Sequence, residues 1–217
     1  MGFIRRYLDP VDRLGEILFG LIMALGVTGA VRLGSQQPDN RELFIGIFGC
    51  NLAWAIVDGV MYVLTALFER GRRTRLIREV LHAPSEEVAL AQIGEELDGP
   101  LLLEMATPEE RERYHRWILD LLRRENPTAL QLERDDILGG VAVGLVIVLA
   151  TFPIVVPYLV VSNPEHAVTC SHVIALALLF LLGARWGQIV GGSPIRIASG
   201  LTLLGLALVL VTIALGG

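Results

Sequence analysis

The chain has 217 residues, of which 53% are hydrophobic and 19% are charged, and its mean hydropathy is +0.58. This apolar share is well above that of ordinary soluble domains, so the composition excludes that class and indicates a membrane protein. The formal net charge of −5 disfavours binding to nucleic acid and to anionic lipid, and it favours cations.

Five apolar stretches are each close to the roughly 20 residues that a helix needs to cross a bilayer; they lie at 14–33, 43–68, 137–161, 168–190 and 194–217. The first follows the basic start MGFIRRYLDPVDR without a small-residue cleavage site, so we expect it to be retained. The chain has no lysine, and 11 of its arginines fall within 70–134. Because positive loops stay inside, we expect a multi-pass membrane protein with a cytoplasmic N-terminus and an external C-terminus.

The first stretch carries polar and small residues at helical spacing, which places them on one helix face: Asp12, Glu16, Gly20, Met23 and Val27. Carboxylate oxygens suit Mg²⁺, Ca²⁺ and Mn²⁺, and a thioether shifts the preference towards softer ions such as Fe²⁺. The pattern predicts a path for a divalent cation that enters from the cytoplasm. Alternatively, Glu16 pairs with Arg13 or Arg5 at the interface and Met23 serves packing alone.

The second stretch contains an acid near its middle, in the segment NLAWAIVDGVMY. A central charge costs about 2.5 to 3.5 kcal/mol on insertion scales, so Asp58 is expected to face a partner or a hydrated path. Asn51 lies seven residues earlier and therefore on nearly the same helix face. Met61 follows three residues after Asp58 and is a further candidate for the path. The alternative is that Asp58 and Asn51 only hold helices together through hydrogen bonds.

Residues between the second and third stretches are polar, and their turn signals predict three short helices at 70–82, 85–97 and 108–125. The predicted fold is an all-α membrane protein with five transmembrane helices and a short cytoplasmic three-helix insert between helices 2 and 3. The domains are 1–69, with helices 1 and 2, then the acidic insert at 70–135, then 136–217, with helices 3 to 5. Pro153 and Pro157 are expected to kink the third span.

Acidic residues cluster in this insert, and we consider them as a weak, exchangeable metal site: Glu95, Glu96, Glu104, Met105, Glu109 and Glu112. The alternative is a solvated helix surface with intrahelical Glu–Arg pairs.

Cys50 and Cys170 are interpreted as two buried free thiols, with an external disulfide as the alternative. The segment NPEHAVTCSH offers ligand types that suit zinc or copper, without a known metal spacing. Because no catalytic motif is present, we do not expect an enzyme.

The paired prolines of PIVVPY and the segment LLFLLGARWGQIVGGSPIRIASG, together with the five-span layout, resemble the small bacterial branch of the vacuolar iron transporter family. The resemblance implies a homodimer that moves Fe²⁺ or a similar ion out of the cytoplasm in exchange for protons, along the dimer axis. It further implies Glu16 or Asp12 on the path in span one, Met61 in span two, and metal binding by the insert.

The sequence therefore predicts a transporter that exports a divalent cation, Fe²⁺ or Mn²⁺, by proton exchange. Its expected partners are the lipid bilayer, the cation, protons and a second copy of the chain, with no nucleic acid and no tightly bound cofactor. The alternative is a non-transporting membrane scaffold or sensor whose cytoplasmic insert binds a protein partner.

Overall fold

The computed structural model describes residues 2–34, 39–99, 105–124 and 131–214, and the regular secondary structure in these ranges is entirely α-helical. In chain order the helices are α1 Gly2–Tyr7, α2 Pro10–Gly34, α3 Asn40–Leu81, α4 Glu86–Leu97, α5 Pro108–Leu122, α6 Arg134–Val160, α7 Pro164–Ile189 and α8 Pro194–Ala214. Five of these, namely α2, α3, α6, α7 and α8, are long and apolar enough to cross a membrane. The prediction of an all-α membrane protein with five apolar spans is confirmed.

The chain divides into two compact units, one formed by Met1–Val63 with Arg134–Gly217 and one formed by Leu64–Glu133. The first unit contains the five apolar helices. Its main core is built from buried aliphatic side chains, including Leu21, Leu25, Ile154 and Leu179. Burying these side chains contributes about 1.5 to 3 kcal/mol each in water, but inside a bilayer close packing matters more because lipid is equally apolar.

Glycine allows α3 and α6 to cross with their backbones in contact. A Cβ atom on Gly140 would lie 2.5 Å from the carbonyl oxygen of Gly59, and one on Gly59 would lie 2.8 Å from the carbonyl oxygen of Gly140. On Gly139, a Cβ atom would overlap the ring of Tyr62. This crossing lies one residue from Asp58, so it fixes the position of that acid.

Both prolines of the third span lie inside the continuous helix α6. Each removes one backbone hydrogen bond, a loss that membrane helices tolerate when neighbouring groups compensate. Pro157 is buried and Pro153 is exposed. The two prolines therefore do not share one environment, although they lie four residues apart.

The second unit differs from the predicted three separate helices. The segment predicted as a first helix at 70–82 is the continuation of α3, which runs unbroken to Leu81. Its residues after Phe68 are good helix formers, and the single Gly71 costs only about 1 kcal/mol, so nothing stops the helix there. Residues Val80, Ala89, Ile93 and Leu119 form the small core of this unit.

The helix starts in the second unit follow the predicted capping residues. Ser85 accepts a hydrogen bond from the backbone N–H of Val88 at 3.3 Å. Thr107 and Glu110 form a reciprocal capping box, in which each side chain accepts from the backbone N–H of the other residue. These contacts begin α4 and α5 at the positions expected from the sequence.

A candidate cation site between α2 and α3

Polar residues of α3 face polar and small residues of α2 within the first unit. On α3 they are Asn51, Trp54 and Asp58, which the three- and four-residue spacing places on one helix face. On α2 the facing residues are Glu16 and Gly20. α2 and α3 are antiparallel. Residue numbers therefore rise along α2 in the direction in which they fall along α3.

The carboxyl groups of Glu16 and Asp58 lie within interaction range of each other. Both side chains are partly buried, and Glu16 Oε2 is buried without a hydrogen-bond partner among the described residues. Two ionised carboxylates repel strongly where water is excluded. The pair therefore needs a compensating proton or cation between or beside its oxygen atoms.

Asn51 supplies the next polar level along the α2–α3 contact. Its side chain is 1% exposed, and its Nδ2 donates to the carbonyl oxygen of Ile47 at 3.0 Å. Its Oδ1 has no hydrogen-bond partner within the described part of the chain. A Cβ atom on Gly20 would lie 3.5 Å from this oxygen, so the glycine leaves space beside an unpaired acceptor.

Two sulfur atoms form a third level. The thiol of Cys50 donates to Met23 Sδ at 3.5 Å. Beyond this pair the contact becomes apolar, because a Cβ atom on Gly46 would meet the side chains of Val31 at 2.7 Å and Val27 at 3.9 Å. Carboxyl pair, amide oxygen and sulfur pair thus follow one another along about 10 Å of α2, at 1.5 Å per residue.

At the start of α2 a group of acids surrounds Tyr62. Asp12, Asp135 and Asp136 all act electrostatically on the Tyr62 hydroxyl, which itself donates to the carbonyl oxygen of Tyr7 at 3.2 Å. Asp12 also lies in electrostatic reach of Glu16, whereas its own side chain is exposed. The arrangement gathers three carboxyl groups around Tyr62, and one of them, Asp12, lies near the carboxyl pair.

Asp9 caps this end of α2. Its Oδ1 accepts the backbone N–H groups of Val11 at 2.7 Å and of Asp12 at 3.0 Å. These two bonds hold the pKa of the Asp9 carboxyl below its ordinary value, because they favour the ionised form. The negative charge at the helix N-terminus stabilises α2.

Four members of this site were not predicted from the sequence. Tyr62, Asp135 and Asp136 are absent from the predicted path, although the adjacent acids at the start of the third span were a usable signal. The fourth is Trp54, whose indole lies within interaction range of Asp58. Met61, which was predicted, is 52% exposed.

The structure does not assemble the predicted metal ligands of the second unit. Glu96 pairs with Arg72, and Glu112 pairs with Arg116 at 2.7 Å. Glu95 lines a shallow cleft of about 400 Å³ beside His115, whereas Met105 is 76% exposed. Glu109 lies in the first turn of α5, and Glu104 lies outside the described residues.

Within the described ranges no three His, Cys, Asp or Glu side chains come together in a group that could hold a metal ion. Glutamate–arginine pairing accounts for two of the predicted ligands, since these pairs satisfy the carboxylates along exposed helix surfaces.

The cysteines are neither buried nor disulfide-bonded. Cys50 and Cys170 are both free, as interpreted from the sequence, but both are exposed, so the expected burial and the alternative disulfide are wrong. In each case the next residue, Asn51 or Ser171, is the one that points into the core. Adjacent residues of a helix are separated by about 100° of rotation, so each cysteine lies at the edge of the face that its neighbour presents to the core.

A comparison with protein-family models gives no match, and a comparison with curated proteins gives none either.

Proposed function

We propose that the protein is a transporter that exports a divalent cation, Fe²⁺ or Mn²⁺, from the cytoplasm in exchange for protons. One observation carries the proposal: the carboxyl groups of Glu16 and Asp58 meet between two apolar helices, within reach of each other and without an arginine partner in the described ion pairs. Ionisable groups inside a membrane bundle mark ion pathways more often than packing sites.

Exchange follows from the charge of the pair. Two ionised carboxylates carry two negative charges, which one divalent cation neutralises; two protons neutralise them equally well. The cation and the protons therefore compete for the same oxygen atoms, and loading with one releases the other. Moving one cation outwards against two protons inwards leaves the pair neutral throughout the cycle.

The donor atoms suit ions of intermediate softness. Glu16 and Asp58 together offer four oxygen atoms, and water molecules would complete the coordination shell. The sulfur atoms of Met23 and Cys50 at the third level favour Fe²⁺ over purely oxygen-seeking ions. A second copy of the chain would bring a second set of these ligands to the path if the two copies join along α3.

The resemblance to the vacuolar iron transporter family supports the same direction and the homodimer. In this proposal the N-terminus and residues 70–135 lie on the cytoplasmic side of a bacterial plasma membrane, which the arginine distribution favours. The acids around Tyr62 then form the cytoplasmic entrance.

The test is metal-dependent proton flux in proteoliposomes, measured across Fe²⁺, Mn²⁺, Co²⁺, Zn²⁺ and Ca²⁺. Loss of a residue that only supports a metal ligand costs about 10- to 100-fold. Asp58 and Glu16 are the proposed ligands themselves, so we expect Asp58→Asn and Glu16→Gln each to lower the flux by more than that. Glu42→Gln, in the exposed first turn of α3, is the matched control and should transport normally.

Unchanged flux in Asp58→Asn, with the protein folded, would remove the acid from any transport cycle. The alternative would then take its place: a membrane scaffold or sensor whose residues 70–135 bind a protein partner.

A further inference from the structure

Three hydroxyl groups from three helices lie close together inside the first unit. The Tyr158 hydroxyl on α6 lies within interaction range of Ser171 on α7 and of Thr28 on α2. Tyr158 is 3% exposed, Thr28 is 1% exposed and Ser171 is fully buried. We refer to these three side chains as the hydroxyl cluster. All three are therefore removed from bulk solvent.

Two of the three hydroxyl groups lack a hydrogen-bond partner. Tyr158 Oη and Ser171 Oγ are buried and make no hydrogen bond within the part of the chain that the structure describes, although they lie near each other. Buried polar atoms of native proteins almost always have a partner, and an ordered water supplies it where the protein itself does not. The two unpaired hydroxyl groups therefore point to a small polar ligand.

The directions of the available hydrogen bonds identify this ligand. The Thr28 hydroxyl donates to the carbonyl oxygen of Ala24 at 2.7 Å, so towards the hydroxyl cluster it can only accept. The hydroxyl groups of Tyr158 and Ser171 keep their hydrogen atoms for donation. A ligand that satisfies all three must accept two hydrogen bonds and donate one, which a water molecule does.

Ions fit the hydroxyl cluster less well than water does. A halide accepts hydrogen bonds but cannot donate one to Thr28. A metal cation would leave the hydrogen atoms of Tyr158 and Ser171 without an acceptor, and the positive charge of Arg32, which lies in electrostatic reach of Tyr158, repels it. Three hydrogen bonds are also the usual number for a buried water. The donors and acceptors of the cluster therefore select water.

The hydroxyl cluster is separate from the carboxyl pair, because Leu21, Ala24 and Leu25 fill the interval along α2 and each is at most 1% exposed. It therefore serves neither the cation nor its protons. Around it α2, α6 and α7 pack mainly through buried aliphatic side chains, such as Leu25, Ile154 and Leu179. In a bilayer, hydrogen bonds between helices supplement such packing. A water shared by the three helices would act as a polar link between them.

We propose that Tyr158, Ser171 and Thr28 bind one buried water molecule that joins α6, α7 and α2. The water accepts the hydroxyl hydrogen atoms of Tyr158 and Ser171 and donates to Thr28 Oγ1. Its binding uses no residue of the carboxyl pair, so the water is bound whether or not the protein transports cations.

The direct test is a crystal structure of the protein, from crystals grown in sodium bromide, at a resolution that shows ordered water. We expect a density peak within hydrogen-bonding distance of the hydroxyl oxygens of Tyr158, Ser171 and Thr28, without an anomalous signal from bromine. A bromine signal would assign the hydroxyl cluster to an anion. Direct hydrogen bonds between Tyr158 and Ser171, with no peak beside them, would satisfy these groups without water. Either result would overturn the proposal.

X-ray radiolysis tests the site in detergent solution. The radiation converts a bound water molecule into a hydroxyl radical, which oxidises the side chain beside it, and mass spectrometry locates the oxidised residue. We expect Tyr158 to be oxidised although it is 3% exposed, whereas Leu25, which is 1% exposed, should stay unmodified. Ser171→Ala removes one donor to the water and should lower the oxidation of Tyr158 several-fold.

Thr151→Val is the matched control for Ser171→Ala. It also removes a buried hydroxyl group, but this group bonds the carbonyl oxygen of Ile147 at 2.8 Å, so the oxidation of Tyr158 should not change. Thr28→Val, which removes the acceptor, replaces Ser171→Ala if that variant does not fold. The proposal would be overturned if Tyr158 stayed unoxidised, if loss of a cluster hydroxyl left its oxidation unchanged, or if Thr151→Val lowered it equally.

Discussion

Glu16 and Asp58 differ from the arginine-paired acids of the chain in what balances their charge. Acids of the second unit pair with arginine, as Glu96 does with Arg72 and Glu86 with Arg123. In the described structure the two membrane acids have each other instead of a positive side chain. A carboxylate held by arginine has its charge balanced permanently, whereas this pair responds to whichever cation or proton arrives.

Gly20 offers a test that separates stability from transport. In Gly20→Ala the new methyl group would lie 3.5 Å from Asn51 Oδ1, an ordinary van der Waals distance, so the protein should fold. Alanine favours a helix by about 1 kcal/mol over glycine, so thermal stability in detergent should not fall. The methyl group nevertheless occupies the space beside the unpaired oxygen, and we expect metal-dependent flux to drop several-fold.

Gly26→Ala is the control for this change, since a Cβ atom there meets nothing within 4 Å. Equal flux in the two variants would show that the space beside Asn51 is not used by the transported ion.

Glu110 should make the stability of one helix end, the first turn of α5, depend on pH. Its carboxylate accepts the Thr107 backbone N–H at 2.8 Å, which lowers its pKa below the ordinary value of 4.5. The stabilisation is therefore complete above pH 4.5 and is lost as the pH falls through the lowered pKa of the folded state. We expect amide exchange in the first turn of α5, corrected for intrinsic rates, to lose protection over that acidic range.

Glu110→Gln should remove this pH dependence, whereas Glu112→Gln, which is paired with Arg116 instead, should retain it. Equal behaviour of the two variants would contradict the capping argument.

At the level of helices, the α3–α6 crossing depends on two facing glycines. In Gly140→Ala the methyl group would meet the carbonyl oxygen of Gly59 at 2.5 Å, and backbone cannot move aside as a flexible side chain can. Overpacking of this kind costs about 1 to 3 kcal/mol, so the melting temperature in detergent should fall. Gly200→Ala on α8, which meets nothing within 4 Å, should leave it unchanged or raise it.

Most helices were predictable from apolar length and capping residues, because five long hydrophobic runs have no other stable form in a bilayer. The start of α5 was predictable from Thr107 and Pro108, which form a strong N-terminal signal. The length of α3 was not predictable in the same way. The change from apolar to arginine-rich sequence near Arg70 indicates where a membrane ends. It does not interrupt the helical backbone, so composition alone suggested a helix boundary that does not exist.

At the scale of the whole molecule, the sequence identified both acids of the carboxyl pair but could not show that they meet. Spacing within one helix assigns a face, whereas the rotation of one helix against another depends on packing at glycines such as Gly59 and Gly46. The proximity of the Thr28, Tyr158 and Ser171 hydroxyl groups was not predictable for the same reason, since these residues come from three different helices. Separated serine, threonine and tyrosine residues carry no recognisable motif.

The proposed homodimer is testable by mass. One chain has a mass of 23.7 kDa, so light scattering coupled to gel filtration, corrected for detergent, should give about twice this protein mass. Asp58→Asn should elute identically, because the role proposed for the acid is in transport and not in assembly. A monomeric wild-type protein that transports cations would restrict the path to the α2–α3 contact of a single chain.

In the proposed transporter, the contact between Cys50 and Met23 would affect discrimination between ions. Magnesium loses its hydration shell reluctantly and gains nothing from a thioether. An ion that can exchange oxygen donors for sulfur can leave the acids and advance, whereas magnesium would remain at the oxygen-rich level and dissociate back to where it entered. Two sulfur atoms placed after the acids would thus exclude magnesium when an ion has to move on from the acids to the sulfur atoms. The acids themselves would not need to distinguish between metals.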